Sequence, residues 1–228
     1  MNTPFQSQNP PNAVLLLSGG LDSAANFLLG KNQFEIKVAL TVDYGQRSAA
    51  QEIQSSRNLA SHFQCEHVVF NCRNFSELLS KKGALLSGDP IPHPQNLEDL
   101  LSAKKTAAQV WVPNRNGFLI SLGAALAESR GLEAVAVGFN AEEAVTFPDN
   151  SFEYLRVMNH SLEFSTSNKV KLMSATVEFT KSQIVKALER VEFPFNKLWS
   201  CYENQKKQCG KCESCQRFKR AMHRGAAN

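Results

Sequence analysis

The amino-acid sequence predicts an α/β protein built on a doubly wound parallel sheet, and three observations support this prediction. Apolar runs rich in β-branched residues alternate with segments of helical spacing along most of the chain. These runs are apolar throughout, which is typical of strands that helices cover on both faces. With 228 residues, 43% of them hydrophobic, the chain can bury the core of one such domain and carry a small appendage.

The first part of the chain supplies three strand-like runs and two helical segments. The run AVLLL precedes DSAANFLLGK, IKVALTVDYG precedes SAAQEIQSSRNLASHF, and the third run is CEHVVFNC. Residues 74–109 then interrupt the alternation with a proline cluster, and they are too numerous for an ordinary connection. We expect this insertion to form an active-site flap or a partner contact.

The alternation resumes after the insertion. NGFLISLGAALAESRG has helical spacing, and the strand-like run EAVAVGFN follows it. Next come the helical segment SFEYLRVMNHSLEFST, the extended segment VKLMSATVEF and the helical segment TKSQIVKALERV. Thr180 stands where the last helix would begin and is a candidate N-cap, because its hydroxyl can accept a hydrogen bond from a first-turn amide.

Composition favours a protein that does not cross a membrane. No apolar run approaches the roughly 20 residues that span a bilayer. Residues 1–12, MNTPFQSQNPPN, have neither the basic end nor the apolar stretch of a signal peptide, so we expect a frayed tail and a cytoplasmic protein. The α/β domain would then cover residues 13–198, and a C-terminal module would cover residues 199–228.

Cations are dense near the C-terminal end, although the net charge is only +4. They are Lys206, Lys207, Lys211, Arg217, Lys219, Arg220 and Arg224. We expect them to form a solvated helix face. Contact with phosphate or RNA is the alternative, and salt-dependent binding to bulk tRNA would distinguish an RNA-modifying protein from an enzyme of small molecules.

Four of the six cysteines lie close together near the end of the chain, as Cys201, Cys209, Cys212 and Cys215. Without a secretion signal, this spacing favours a metal site over disulfides. Four thiolates can close a tetrahedron around Zn²⁺ and leave no position for water, which predicts a structural zinc ion. An iron–sulfur cluster is the alternative. Cys65 and Cys72 flank an apolar run and are expected to be buried thiols.

The turn SGGLDS lies between the first strand and the first helix. Its glycines let backbone amides point inward, and the helix N-terminus adds its positive dipole end, so a phosphate group fits there. Ser18 and Ser23 add hydroxyl donors, and Asp22 suits a Mg²⁺ ion that accompanies a phosphate. The turn matches neither GxxxxGK[ST] nor GxGxxG, which disfavours those two classes of nucleotide-binding protein.

This turn resembles the PP-loop of the ATP pyrophosphatase superfamily, whose members cleave ATP between the α and β phosphates and adenylate a substrate oxygen. Further motifs follow in order: VDYGQR, VPNRNGFLIS, VGFN, FPD, FTKSQIV and SCY with CGKCESC. From about Ala13 onward, the chain thus resembles the 7-cyano-7-deazaguanine synthase family of queuosine biosynthesis. The resemblance implies a Rossmann-like sheet of the adenine nucleotide alpha hydrolase type.

The resemblance also implies a reaction and its ligands. 7-Carboxy-7-deazaguanine, ammonia and ATP would give 7-cyano-7-deazaguanine through an adenylated intermediate. ATP, Mg²⁺ and one structural Zn²⁺ are the implied cofactors. The implied assembly is a homodimer, and we expect neither a membrane nor a nucleic acid as a direct partner.

Three groups of residues would carry this chemistry. The ATP and Mg²⁺ site would comprise Leu16, Leu17, Ser18, Gly19, Gly20, Leu21, Asp22, Ser23, Ala24 and Ala25, with Val42 at the adenine. The catalytic candidates are Asp22, Arg115 and Lys181. The two cations would counter carboxylate or phosphate charge. The alternative is that each of them is a surface residue without a role. The substrate candidates are Tyr44, Gln46, Arg47, Asn116, Asn140, Glu143 and Asp149. Asn116 would bind a base edge or cap a helix beginning near Gly117.

One stretch departs from the family pattern. Members usually carry a sequence like GYPDCR where this chain has TFPDNS, so Asn150 and Ser151 replace a cysteine and an arginine. Asp149 is retained, and Glu143 is a candidate replacement for an earlier acid. Because this loop is expected near the purine-like substrate, two alternatives stay open. They are a relative that adenylates a deazapurine or another acid for amide or conjugate formation, and a non-catalytic nucleotide-binding partner.

Overall fold

A single five-stranded parallel sheet organises the chain, in the strand order β3-β2-β1-β4-β5. The computed structural model describes residues 9–80, 82–94 and 99–225. The strands are β1 (Asn12–Leu16), β2 (Glu35–Asp43), β3 (Glu66–Asn71), β4 (Ala134–Ala136) and β5 (Lys171–Met173). The connections that follow β1 and β4 run to opposite sides of the sheet. A crevice therefore opens between them at the carboxyl ends of these central strands.

Helices cover both faces of the sheet, which confirms the doubly wound prediction. They are α1 (Leu21–Leu29), α2 (Ala49–His62), α3 (Asn74–Leu78), α4 (Leu100–Val110), α5 (Arg115–Ser129), α6 (Ala141–Ala144), α7 (Phe152–Ser165), α8 (Lys181–Glu189) and α9 (Glu213–Gly225). Neighbouring strand residues point to opposite faces. Val14 therefore packs in one core with Ile120 of α5, and Leu15 packs in the other with Leu59 of α2 and Ile184 of α8.

The third strand differs from the prediction that the strands are buried on both faces. Val69 is 40% exposed and Phe70 is 42% exposed. β3 lies at the edge of the sheet, where it pairs only with β2 and is incompletely covered. The prediction of buried thiols beside it is also wrong, because Cys65 and Cys72 are both half-buried.

The insertion at residues 74–109 contributes two helices, α3 and α4, and a packed segment between them. Ala84, Leu85, Leu86 and Ile91 of that segment are buried in the core on the Val14 face. The backbone amide of Arg47 donates to the carbonyl of Leu85 at 3.0 Å. The described part of the insertion is therefore tied to the domain core.

The two ends of the chain are described in part. Of the tail predicted at residues 1–12, residues 1–8 lie outside the described range, and Asn12 already belongs to β1. At the other end, α9 packs against α8. Among the described helices, none has the length and apolar character that crossing a bilayer requires.

The predicted helix after the extended segment begins at Lys181, and Thr180 caps it. The Thr180 hydroxyl accepts from the amide of Gln183 at 3.3 Å, and the Gln183 side chain accepts from the amide of Thr180 at 2.8 Å. We expect Thr180→Ala to lower the free energy of unfolding by about 1 kcal/mol, because the variant lacks the hydroxyl that accepts from the Gln183 amide. Urea unfolding measures this loss. Thr180→Ser should retain most of the stability, and equal losses in both variants would contradict the capping role.

Candidate functional site

A cavity of about 240 Å³ lies at the carboxyl ends of β1, β2 and β4. It brings together most of the residues predicted from the PP-loop motif, namely Leu16, Leu17, Ser18, Gly20, Leu21, Asp22, Ser23 and Val42. It is also lined by the substrate and catalytic candidates Tyr44, Arg115, Asn116, Glu143 and Lys181. The strand ends of a doubly wound sheet are where such a fold binds its ligands.

The SGGLDS turn is held in place by contacts from distant parts of the chain. Gly19 has a φ of +77°, and its carbonyl accepts from the Trp199 amide at 2.9 Å and from the Ser55 hydroxyl at 3.0 Å. The hydroxyls of Ser18 and Ser23 lie 3.0 Å apart. Because the first amides of α1 have no partner within the helix, the turn presents donors and a positive dipole end to an anion.

Lys181 joins two carboxylates at the start of α1. Its Nζ pairs with Oδ2 of Asp22, and it lies 2.8 Å from Oε1 of Glu143. The Lys181 side chain is only 7% exposed. Burial lowers its pKa, but the two carboxylates outweigh burial and raise the pKa well above the ordinary value for lysine. Lys181 is therefore a buried cation at the PP-loop, which rules out the alternative of a surface residue.

Asp22 retains an unused oxygen. Burial raises the pKa of Asp22 to about 6, although the charge of Lys181 opposes that change. Its Oδ1 atom is buried and has no hydrogen-bond partner in the part of the chain that the structure describes. An unpaired carboxylate oxygen next to a second carboxylate, Glu143, offers the hard oxygen ligands that Mg²⁺ prefers. These two residues therefore fit a divalent cation.

A second polar group in the cavity surrounds Arg115. The side chain is half-buried, and although burial lowers its pKa, Tyr44 and Asp149 raise the pKa above its ordinary value. Asn116 Nδ2 donates to the backbone carbonyl of Asp149 at 3.1 Å. The alternative that Asn116 caps a helix is wrong, because α5 begins at Arg115 and Asn114 occupies the cap position.

Other predicted site residues lie behind the cavity and do not line it among the described residues: Gly19, Ala24, Ala25, Gln46, Arg47, Asn140 and Asp149. Gln46 accepts from the Tyr44 amide at 2.9 Å and donates to Glu52 at 2.9 Å, so it shapes the turn after β2. Arg47 donates to the Asp89 carbonyl at 2.6 Å and lies 2.9 Å from the carboxylate of Glu203. It thus connects the insertion to the C-terminal module.

Asn140 acts at the start of α6. Its side-chain oxygen accepts from the amide of Glu143 at 2.9 Å and caps this helix of four residues. Its Nδ2 atom is buried, and none of the described residues gives it a hydrogen-bond partner. Asn140 therefore orients the segment that carries Glu143.

Several residues that line the cavity are not predicted from the sequence, among them Glu52, Phe139, Trp199 and Tyr202. Glu52 is half-buried, and its carboxylate accepts from the Ser48 hydroxyl at 2.6 Å and from Gln46. Trp199 and Tyr202 flank the first cysteine of the C-terminal group. Their position beside a predicted metal ligand was the available signal, but only the fold brings them to the cavity.

Gly138, which follows β4, approaches the PP-loop closely. A Cβ atom there would lie 2.3 Å from the Ser23 amide nitrogen and 2.6 Å from the Asp22 carbonyl carbon. Because these are backbone atoms, we expect Gly138→Ala to displace the start of α1 and to lower about a hundredfold the AMP formation that the PP-loop resemblance implies. Gly88→Ala is the matched control, since a Cβ at Gly88 meets no atom within 4 Å. Equal rates in both variants would contradict the close approach.

The four C-terminal cysteines form one cluster, as their spacing predicts. The sulfur atoms of Cys201, Cys209, Cys212 and Cys215 all lie within 4.8 Å of one another. The amide of Cys209 lies 3.3 Å from the Cys201 sulfur, and the amide of Cys212 lies 3.3 Å from the Cys209 sulfur. Such amides stabilise thiolate charge. The cluster could therefore hold a metal ion, and Cys201 also lines the cavity.

The expectation of a solvated cationic face is wrong for two members of the C-terminal group. Arg217 is 5% exposed and lies 2.7 Å from Glu213 and 3.0 Å from Glu142. Arg220 also pairs with Glu142. These guanidinium groups are committed to internal ion pairs, because α9 packs against the domain. The Arg224 side chain lies outside the described ones.

Comparisons with known proteins show which proteins this chain is similar to. Residues 12–225 match the family described as Queuosine biosynthesis protein QueC. The chain is 42% identical over 214 residues to 7-cyano-7-deazaguanine synthase of Desulforamulus reducens, covering 93% of each chain. It is 43% identical over 215 residues to that of Bdellovibrio bacteriovorus, covering 92% of this chain and 91% of the relative.

Among solved structures, an NH3-dependent NAD synthetase from Campylobacter jejuni is similar, with a TM-score of 0.46 and 16% identity. The likeness covers 84% of this chain and 68% of that one. The sequence matches, by contrast, extend across nearly the whole chain, from the PP-loop to the cysteine cluster. The chain belongs to the queuosine biosynthesis protein QueC family.

Proposed function

We propose that the chain is an ATP-dependent carbon–nitrogen ligase that converts 7-carboxy-7-deazaguanine and ammonia to 7-cyano-7-deazaguanine. The observation that carries this proposal is the arrangement at the PP-loop. An anion-binding turn, a buried lysine and an unpaired oxygen of Asp22 meet in one cavity. The family and its named relatives supply the substrate class.

Two adenylations account for the reaction. A carboxylate oxygen of the substrate attacks the α-phosphorus of ATP, and pyrophosphate leaves. Ammonia then displaces AMP and loses a proton, which gives the amide. A second ATP adenylates the amide oxygen with release of pyrophosphate, and loss of AMP and of both amide protons leaves the nitrile.

The residues of the PP-loop would position ATP for both adenylations. Amides and hydroxyls of Ser18, Gly20 and Ser23 would hold phosphate oxygens, with Lys181 as a nearby positive charge. Asp22 and Glu143 would hold Mg²⁺, which neutralises phosphate charge when bound. Val42 would contact the adenine. Positioning and charge neutralisation would therefore supply most of the rate acceleration.

Arg115 would bind the substrate carboxylate. Its guanidinium stays charged, borders the cavity and can engage a carboxylate through two parallel hydrogen bonds. Tyr44, Asn116 and Asn150 also line the cavity and would surround the deazapurine. The other substrate candidates would orient these residues from outside the cavity lining. They are Gln46, Arg47, Asn140 and Asp149.

The C-terminal module would hold one structural Zn²⁺ through its four cysteines, as a closed site without a water position. We further propose a homodimer in the cytoplasm without direct nucleic-acid binding. We also propose that the PP-loop domain covers residues 13–198 and that the zinc module covers residues 199–228.

Mass spectrometry of products tests the function. The protein is incubated with ATP, Mg²⁺, ammonium and 7-carboxy-7-deazaguanine, and nucleotides and bases are identified by mass. We expect AMP, pyrophosphate and the nitrile. An amide or an amine conjugate as the final product would identify the alternative ligase. ADP, or no AMP with any acid offered, would contradict the adenylation itself.

A further inference from the structure

A row of buried ion pairs runs from the cysteine cluster to the PP-loop. Glu213 lies between two cysteines of the cluster, and its carboxylate accepts from Arg217 at 2.7 and 2.9 Å and from the Thr106 hydroxyl at 3.0 Å. Arg217 then lies 3.0 Å from Glu142 on α6. Glu213 is 1% exposed. The cluster end of the row is therefore shielded from water, whereas Glu142 and Glu143 are half-buried.

The row continues to the PP-loop through Glu143, the residue of α6 that follows Glu142. Glu143 contacts Lys181 at 2.8 Å, and Lys181 pairs with Asp22. Consecutive helical residues point about 100° apart. Glu142 and Glu143 can therefore contact two different parts of the protein at once, and the structure shows that they do.

α6 depends on such contacts for its position. It has only four residues, and an isolated helix of one turn does not form in water. Besides the Asn140 cap, the amide of Ala141 donates to the Phe179 carbonyl at 3.0 Å. These bonds fix the start of the segment, whereas Glu142 anchors its middle to Arg217 and Arg220.

We propose that Arg217 and Glu142 are positioning residues that hold Glu143 against the Asp22–Lys181 pair and thereby set the affinity of the PP-loop for a divalent cation. Neither residue lines the cavity among the described residues. The C-terminal module would thus tune cation binding at a site formed by the other domain. This inference rests on the proposed function, because it assigns Asp22 and Glu143 to Mg²⁺.

The test is ATP binding by isothermal titration calorimetry at stepped MgCl2 concentrations, with Glu142→Gln compared with the unaltered protein. Mg²⁺ should increase the affinity for ATP, and we expect the Mg²⁺ concentration that gives half of this increase to rise about tenfold in the variant. A change of this size is typical when a residue that supports a metal ligand is removed. ATP binding in EDTA and the zinc content should stay unchanged. Arg217→Lys should give a smaller shift in the same direction, because lysine keeps the positive charge but lacks the planar guanidinium that donates several hydrogen bonds at once.

Glu153→Gln is the matched control, since it breaks an exposed ion pair with Arg156 on α7. Hydrogen exchange of residues 141–144 gives a readout without ATP, and it should quicken in Glu142→Gln but not in Glu153→Gln. An unchanged Mg²⁺ requirement, or equal loss of ATP affinity with and without Mg²⁺, would overturn the positioning role. If the unaltered protein bound no ATP at any Mg²⁺ concentration, the proposed function would fail. Unchanged exchange in Glu142→Gln would then reject the positioning role separately.

Discussion

Asp22→Ala is expected to reduce AMP formation at least a thousandfold while leaving the fold intact. Asp22 supplies the unpaired buried oxygen at the PP-loop, so its removal takes away the proposed cation ligand. The fold should tolerate the change for two reasons. Burial disfavours the charged form of Asp22, as its raised pKa shows, and Lys181 keeps Glu143 as a partner.

Single-turnover AMP formation and thermal unfolding measure the two effects separately. The midpoint of unfolding should stay within a few degrees of the parent value, which corresponds to about 1 kcal/mol for a chain of this size. Glu189→Ala, which removes an exposed carboxylate at the end of α8, is the control and should keep full activity. Retained AMP formation in Asp22→Ala would refute the assignment of Asp22.

Cys212→Ala is expected to have the opposite profile, with loss of folding as the primary defect. Closed four-cysteine zinc sites contribute about 10 to 16 kcal/mol in zinc-finger peptides. That is comparable to the net stability of a whole domain, about 5 to 15 kcal/mol. Since the module also supplies Trp199, Tyr202 and the Trp199 amide bond to Gly19, its loss should remove ATP binding too.

Zinc content by elemental analysis and thermal unfolding, with and without a chelator, check this prediction. Cys65→Ala is the matched control, because this half-buried thiol lies outside the cluster. A Cys212→Ala variant with an unchanged midpoint would contradict a structural metal. If both Asp22→Ala and Cys212→Ala lost solubility equally, the separation between a catalytic and a structural site would be wrong.

Local sequence patterns determined much of the fold. Apolar β-branched runs predicted β1, β2 and β4, because strands buried on both faces need apolar side chains at every position. The sequence TKSQ at residues 180–183 predicted the start of α8 and its cap, because a first-turn amide needs a nearby acceptor. Cysteine spacing predicted the cluster, because four ligands so close in sequence can converge without help from the rest of the chain.

Other features could not be predicted from local patterns. The exposure of β3 follows from its place at the sheet edge, and an apolar run does not encode strand order. The extended segment VKLMSATVEF forms a strand only at Lys171–Met173, where β4 offers a partner. Ala84, Leu85, Leu86 and Ile91 of the insertion pack into the core, a placement that no local pattern in that segment indicates.

The sequence by itself determined which chemical groups the protein carries: a turn rich in backbone amides and hydroxyls, a carboxylate within it and a cluster of thiols. Only the tertiary structure decided which groups act together, as in the pair of Asp22 with Lys181 and the bond of Trp199 to Gly19. The physical reason is that propensity and periodicity report on neighbours along the chain. Buried charges, however, are set by partners more than a hundred residues away, and the packing of helices on the sheet brings those partners together.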